Sequence, residues 1–276
     1  MNPKRRFVFR GNAAAYGGRL YRPTDIIVEA KGASCLPVTG GRSSARLAAV
    51  RFDEVFRVGR ASTLAEGFFD DAKQAIELTH HRVAEDSLTT STLVTAQLER
   101  LMVGVKPRLT IESMEAALRG GSPSSSREPT VALERAVIKG VAIGGHELIV
   151  ELETEIFRRY DTRSKLVAAA EAPKFVRTYG AHFFMPRAEA LPRLFESGRV
   201  IHATIVKSLR WVDKPYPGAT IDGHTVQVPE LGLLFFGEML ITEGSRRLTL
   251  ARFELGSLWG GFLSAIDVDT NGGWSP

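Results

Sequence analysis

Two-residue periodicity constrains this chain more than any other feature. In HELIVELETEIF, Leu148, Val150, Leu152 and Ile156 share one face of an extended chain, and Glu147, Glu151, Glu153 and Glu155 share the other. A chain patterned this way buries one face of a sheet and wets the opposite one. Two further stretches read as variants of one extended unit. In TLVTAQLERLMVG and EPTVALERAVIKG, residues Thr95, Leu98, Glu99, Arg100 and Val103 match Thr130, Leu133, Glu134, Arg135 and Ile138. Each copy leads toward a glycine-bearing turn, as a repeated strand in a layered sheet does.

The same period runs along most of the chain. RRFVFRG, RLYRPTDIIVEA and ARLAAVRFDEVFRV read as strands separated by glycine turns, with Phe7 and Phe9 on one side of the first and Arg6, Val8 and Arg10 on the other. RLTIESMEAAL lies between the two copies of the repeat, and the Ser, Gly and Pro cluster from Arg119 to Pro129 reads as a surface loop. Gly144 and Gly145 mark a hairpin. Between Ser62 and His81 the spacing of Leu64, Phe68, Ala72 and Ile76 predicts an amphipathic helix capped by Ser62 or Thr63. DTRSKLVAAAEAP predicts a short helix closed before Pro173, and PRAEALPRLFESG another beginning near Pro186. The last third returns to strands: VIHATIVKSLRWV, HTVQVPELG, LLFFGEMLIT, RRLTLARFELG and GGFLSAIDVD. The run from Leu233 to Ile241, apolar apart from Gly237 and Glu238, reads as a central strand covered on both sides.

The expected fold is therefore mainly β, all-β or α+β, with layered sheets or a barrel-like closure and a few short helices. Residues 1–276 read as one β-rich body, divisible into halves 1–160 and 174–276 about a short helical segment. A hydrophobic fraction of 44% and a charged fraction of 24% lie in the ordinary globular range and indicate neither a disordered chain nor an integral membrane protein. Lys and Arg number 36 against 31 Asp and Glu, a net of +5 scattered along the chain, so anionic partners are allowed but not implied. No stretch is long and apolar enough for a membrane span, and the short apolar run after MNPKRR does not make a signal peptide. A single cysteine, Cys35, precludes an internal disulfide and points to the cytoplasm, with leaderless export still open.

Few motifs carry chemistry. LPVTGG, from Leu36 to Gly41, resembles a sortase anchoring signal, but polar residues follow it and turn chemistry explains it. DVDTNG places Asp267, Asp269 and Asn271 at alternate positions before Gly272, the opening half of a calcium loop without the carboxylate that would complete it; a strand end with an Asn-Gly turn accounts for the same residues. The six histidines form no metal-binding pair, and His80 and His81 read as the end of the helix begun at Ser62. No cofactor or metal is expected. Glu238, embedded in LFFGEMLI, must face solvent or find a donor such as Arg252 on a neighbouring strand, and a structural ion pair is the simpler reading. Asp161 and Arg163 call for the same caution.

The middle of the chain, TLVTAQLERLMVGVKPRLTIESMEAAL followed by EPTVALERAVIKGVAIGGHELIVEL, resembles β-rich modules of the bacterial surface proteins named choice-of-anchor P, in its order of strand, small turn and short glycine-containing hairpin. The resemblance implies a non-enzymatic β protein and brings no catalytic residues. The functional expectation is a structural or binding protein that self-associates as a homo-oligomer through its sheet edges. One alternative is a small-molecule carrier or enzyme with Glu238, Arg252, His202 and His224 lining a C-terminal barrel. A second is a sequence-tolerant nucleic-acid binder stacking bases on Phe7, Phe9, Tyr16 and Tyr21, a reading weakened by the supply of acidic residues.

Overall fold

A computed structural model describes residues 7–22, 25–52, 54–69, 89–123, 128–184, 196, 200–256 and 260–274. The chain folds into two antiparallel sheets of nine strands each, packed face to face, with three short helices and no closed barrel among the described residues. The first sheet runs β14 (Thr220–Asp222), β15 (Thr225–Val228), β16 (Gly232–Ile241), β17 (Ser245–Leu255), β18 (Gly261–Trp274), β1 (Phe7–Leu20) and β2 (Ile26–Lys31), with β12 (Ile201–Thr204) also on β16 and β3 (Ser34–Cys35) also on β1. The second runs β13 (Val206–Trp211), β11 (His146–Leu152), β10 (Thr130–Ile143), β9 (Leu109–Pro123), β8 (Thr89–Val103), β6 (Phe56–Val58) and β5 (Val50–Phe52). There β7 (Ala61–Phe69) joins β8 and carries β4 (Gly41–Leu47).

One core lies between the layers, built around Phe9, Tyr16, Phe56, Met114, Phe236 and Phe253. Two buried hydroxyl pairs cross it: Thr92 of β8 meets Thr270 of β18 at 2.7 Å, and Ser34 of β3 meets Thr63 of β7 at 2.7 Å. Each satisfies two buried polar groups at once and ties one layer to the other.

The inward-outward alternation reverses along one transverse row in each sheet. In the first sheet the reversal leaves two consecutive buried residues on each strand: Ala15–Tyr16, Ala265–Ile266, Leu250–Ala251 and Phe236–Gly237. Tyr16 pairs with Ala265, Ala265 with Ala251 and Ala251 with Phe236, so the row is continuous. In the second sheet it leaves consecutive exposed residues, Glu99–Arg100 on β8 and Lys139–Gly140 on β10, with Glu99 and Lys139 both registered on Ser113 of β9. Left-handed residues stand at two of the reversals in each sheet, Gly237 at φ 61° and Ile266 at φ 54° in one, Arg100 at φ 55° and Gly140 at φ 62° in the other, while β1 and β17 reverse without one. Such a residue turns its strand out of the flat pleat and resets which face the next side chain takes.

Several expectations are corrected. Ser62 to Phe69 is strand, not helix; residues 70–81, including His80 and His81, lie outside the described residues. A spacing of four is also a multiple of two, so Leu64 and Phe68 share a strand face as readily as a helix face, and here Ala61, Thr63, Ala65 and Gly67 face the core. The strand expected through Ile156 stops at Leu152. Arg119 to Pro123 belong to β9 rather than a loop, and β1 runs unbroken through Gly11, Gly17 and Gly18. VIHATIVKSLRWV is two strands in different sheets, divided at Ile205. The Gly144–Gly145 turn forms as expected, with φ of 56° and 87°. The helix expected near Pro186 falls outside the described residues.

The crossover from β11 to β12 carries α1 (Glu155–Arg159), α2 (Arg163–Ala170), α3 (Pro173–Tyr179) and a 3-10 turn (Gly180–His182). Thr162 caps α2 by accepting from Lys165 N at 3.1 Å, and Pro173 does not merely close that helix but opens the next. Phe157, Phe175 and Phe183 anchor the segment to the core. Arg246 of β17, 2% exposed, donates to Phe157 O at 2.8 Å and to Tyr160 O, so its guanidinium takes up carbonyls that α1 leaves unpaired at its end. Burial lowers the Arg246 pKa to about 10 against the pull of Asp161 and Glu128.

Candidate functional site

The site grows from a division on one edge of β16. Residues Gly232–Phe235 pair with β15, and Glu238–Ile241 pair with β12. Between them the two neighbours part: Phe236 N bonds to His224 O at 3.0 Å, and Ile205 N bonds to Gly237 O at 2.8 Å before the chain leaves for the second sheet. Gly237 makes the parting feasible. A Cβ there would stand 2.6 Å from Ile205 Cγ1, and its φ is positive. Strands that diverge from a common edge leave a crevice. Here it is a recess of about 350 Å³ between the 3-10 turn, the start of β13 and the tip of the β14–β15 hairpin.

His224 occupies the second position of that hairpin's two-residue turn, since Asp222 pairs with Thr225. Its ring stacks on Phe184 with centroids 4.5 Å apart and an interplanar angle of 20°. Its buried Nε2 has no hydrogen-bond partner and lies 3.7 Å from Glu238 Oε1, beyond hydrogen-bond reach but close enough for charge attraction. Glu238 is gripped by Arg252, whose Nε and Nη2 donate to its two oxygens at 2.6 and 2.8 Å. The Arg252 guanidinium also lies 3.7 Å from the Phe235 ring centroid and bonds to Glu254. Burial pushes the Glu238 carboxyl upward, but Arg252 and His224 together outweigh it and hold the pKa at about 2.

Across the recess, His182 is 8% exposed and its Nδ1 donates to Thr204 O at 2.9 Å, which fixes the ring. Thr204 is itself satisfied, donating to Phe236 O at 3.3 Å and accepting from Val206 N at 3.1 Å. Lys207 of β13 and Asp222 of β14 complete the polar lining. Both are exposed, and among the described residues neither side chain makes a hydrogen bond or a close ion pair, although the Lys207 charge acts on Glu151.

Of the residues expected from sequence, Glu238, Arg252 and His224 come together as one chain of contacts. His202 does not join them: it is exposed on β12, and only its carbonyl is engaged, accepting from Phe184 N at 2.9 Å. No barrel encloses them. The recess residues His182, Thr204, Lys207 and Asp222 carried no motif; the one available signal was the Asp-Gly turn beside His224. Asp267, Asp269 and Asn271 lie within β18, paired on both edges, where alternate positions stand ~6.6 Å apart rather than curling around one ion. Asp267 is paired with Arg247, while burial raises the Asp269 pKa against a hydrogen bond from Asn12. Among the described residues no group of three or more His, Cys, Asp or Glu side chains could hold a metal ion. Phe9 and Tyr16 are each 1% exposed, so the four aromatics considered for base stacking do not form a groove. Asp161 pairs with Lys165 at 2.5 Å, and Arg163 is buried, donating to Glu196 O.

No described helix is long and apolar enough to cross a membrane. Neither the curated proteins nor the solved structures contain a match to the chain. A family model does match, over residues 7–183, well over half of the 276. The chain belongs to that family, a domain of unknown function designated DUF8256.

Proposed function

We propose that this protein is a non-catalytic binding module whose ligand, a small polar molecule, occupies the recess where β12 and β15 part. The observation that carries the reading is a partly apolar recess lined by His182, by His224 with its buried Nε2 lacking a hydrogen-bond partner, and by two exposed charges of opposite sign, Lys207 and Asp222. Polar groups placed around a concave, partly apolar pocket are what fixes a ligand's orientation. A hydrolytic or transfer reaction has less support, because among the described residues no hydroxyl or thiol is hydrogen-bonded to either imidazole. The resemblance to choice-of-anchor P modules also favours binding over catalysis. The test is a thermal-shift screen of small polar metabolites on the full chain, followed by calorimetry of the hits. At least one hit is expected to lose tenfold or more in affinity in Lys207→Gln; hits indifferent to Lys207→Gln and His224→Ala would sink the proposal.

Self-association is a second reading with its own observation. On the outer face of the first sheet, Ile27 is 69% exposed, Tyr21 48% and Phe262 47%, and Tyr21 and Phe262 touch edge to face at 6.1 Å. They cluster beside β2, which ends that sheet's path. An apolar group beside a terminal strand favours pairing between copies. Light scattering over a concentration series should give a mass that rises with concentration and that Ile27→Lys holds at monomer; a monomer throughout would remove this reading. The single, exposed Cys35 supports a reducing compartment such as the cytoplasm.

A further inference from the structure

We infer that the recess takes a neutral ligand of the primary-amide class, one that enters with its N–H donors foremost; this rests on the recess being the binding site. Two imidazoles line it, and each commits one nitrogen elsewhere. His182, 8% exposed, points its Nδ1 at Thr204 O, 2.9 Å away. A carbonyl only accepts, so the hydrogen of the neutral ring sits on Nδ1 and Nε2 keeps a lone pair. His224 is set in the opposite sense. Its Nε2 is buried 3.7 Å from Glu238 Oε1, and a carboxylate that Arg252 keeps ionised draws the ring hydrogen to that side. The lone pair is then left on Nδ1. Of the four ring nitrogens only His224 Nε2 is both buried and without a partner. His182 Nε2 and His224 Nδ1, which make no hydrogen bond among the described residues, are therefore open, and both rings belong to the recess wall.

Two acceptor nitrogens repel the oxygens of a carboxylate or phosphate and favour an N–H. Thr204 does not offset them, because its one hydroxyl hydrogen goes to Phe236 O. A charged donor has no advantage over a neutral one. The exposed Lys207, whose charge acts on Glu151, and the exposed Asp222 both line the recess, so a ligand of either net sign meets a like charge. A primary amide carries two N–H hydrogens, no net charge and a carbonyl that still accepts from an ammonium such as that of Lys207. Ala181, Phe184 and Val206 supply apolar wall for its hydrocarbon part, and Phe184 is held in place by the His224 ring stacked on it.

Long-range proton–nitrogen spectra of the full chain at mildly alkaline pH, assigned with His182→Gln and His224→Phe, read the rings directly. His182 is expected as the Nδ1–H form and His224 as the Nε2–H form; either ring in the other form overturns the inference. Titrations then compare butyramide and benzamide with butyrate and benzoate, and with butylammonium and benzylammonium. At least one amide should bind tenfold or more tightly than its acid and its amine, and should move the His182 Nε2 and His224 Nδ1 signals. His224→Phe, which keeps an aromatic ring against Phe184 but has no nitrogen, should lose tenfold or more of that affinity at an unchanged melting temperature. An amide that leaves either ring signal unmoved, or whose affinity His224→Phe does not alter, overturns the inference. If an acid or amine moves those signals and binds as well as its amide, or no amide binds while other screened molecules do, the amide inference falls and the recess reading stands. If nothing in the panel or the screen binds, both fall.

Discussion

Glu238 is held between two opposing effects, burial that disfavours its charge and a bidentate guanidinium that favours it, and the second wins. Its folded pKa, about 2, lies below its ordinary value of 4.5, so the stabilisation is fully present above pH 4.5 and is lost as pH falls toward 2. Glu238→Gln should therefore cost on the order of 2 kcal/mol in urea denaturation at neutral pH. The gap between variant and parent should narrow between pH 4.5 and 2; a gap independent of pH would show that the carboxylate is not what stabilises that corner. This pair was legible from sequence because a lone carboxylate in an apolar strand demands a donor, and an arginine stood on the next strand pattern. Lys207 and Asp222 were not legible. A charged residue on a strand end or hairpin tip has no unusual neighbours in sequence, and its significance arises only when β13 and β14, from different sheets, are brought to one recess.

The strand misread as helix, β7, alternates without a break at a spacing that also fits a helix, whereas strands were legible even where the transverse row reverses their alternation. Both copies of the repeated unit illustrate this: Glu99–Arg100 and Glu134–Arg135 are consecutive exposed pairs, the first at a left-handed residue and the second beside a register shift after Leu133. The recurrent Leu-Glu-Arg thus marks where a strand's inward-outward alternation breaks, with a register shift in the second copy alone, a property that a period count takes for noise. Gly237 is the position where such a reversal serves the site. Gly237→Ala combines a left-handed backbone with a Cβ 2.6 Å from Ile205 Cγ1, whereas Gly223→Ala, at φ 55° with nothing within 4 Å, carries the backbone cost alone. Chemical denaturation should show about 1 kcal/mol for Gly223→Ala and some 2–4 kcal/mol for Gly237→Ala. Equal losses would mean that Ile205 yields freely and that the parting of β12 from β15 does not depend on a bare backbone.

The two layers are assembled from distant parts of the chain, and the family boundary cuts through both of them. β1 is registered on β18 from Phe7↔Trp274 to Leu20↔Gly261, and β11 of the second sheet takes its outer partner from β13. The family segment 7–183 contains β1 but not β16, β17 or β18, so most of the first sheet and the cover over β8 and β9 come from beyond it. Without them, the inward faces of Val94, Met114 and Leu118 meet water, and Thr92 loses the Thr270 hydroxyl. A fragment of residues 1–183 should therefore lack a cooperative denaturation transition and bind a hydrophobic dye. Co-expressed with residues 184–276 it should recover a single transition like that of the full chain, because the missing partner is supplied in trans. Pairing between the chain's two ends also carries a large loop-closure entropy, which places the formation of β1–β18 late and makes refolding of the full chain slow for its size. A sharp, reversible transition in the 1–183 fragment alone would overturn this account, and would mean that the family segment closes its own core by an arrangement different from the one it takes here.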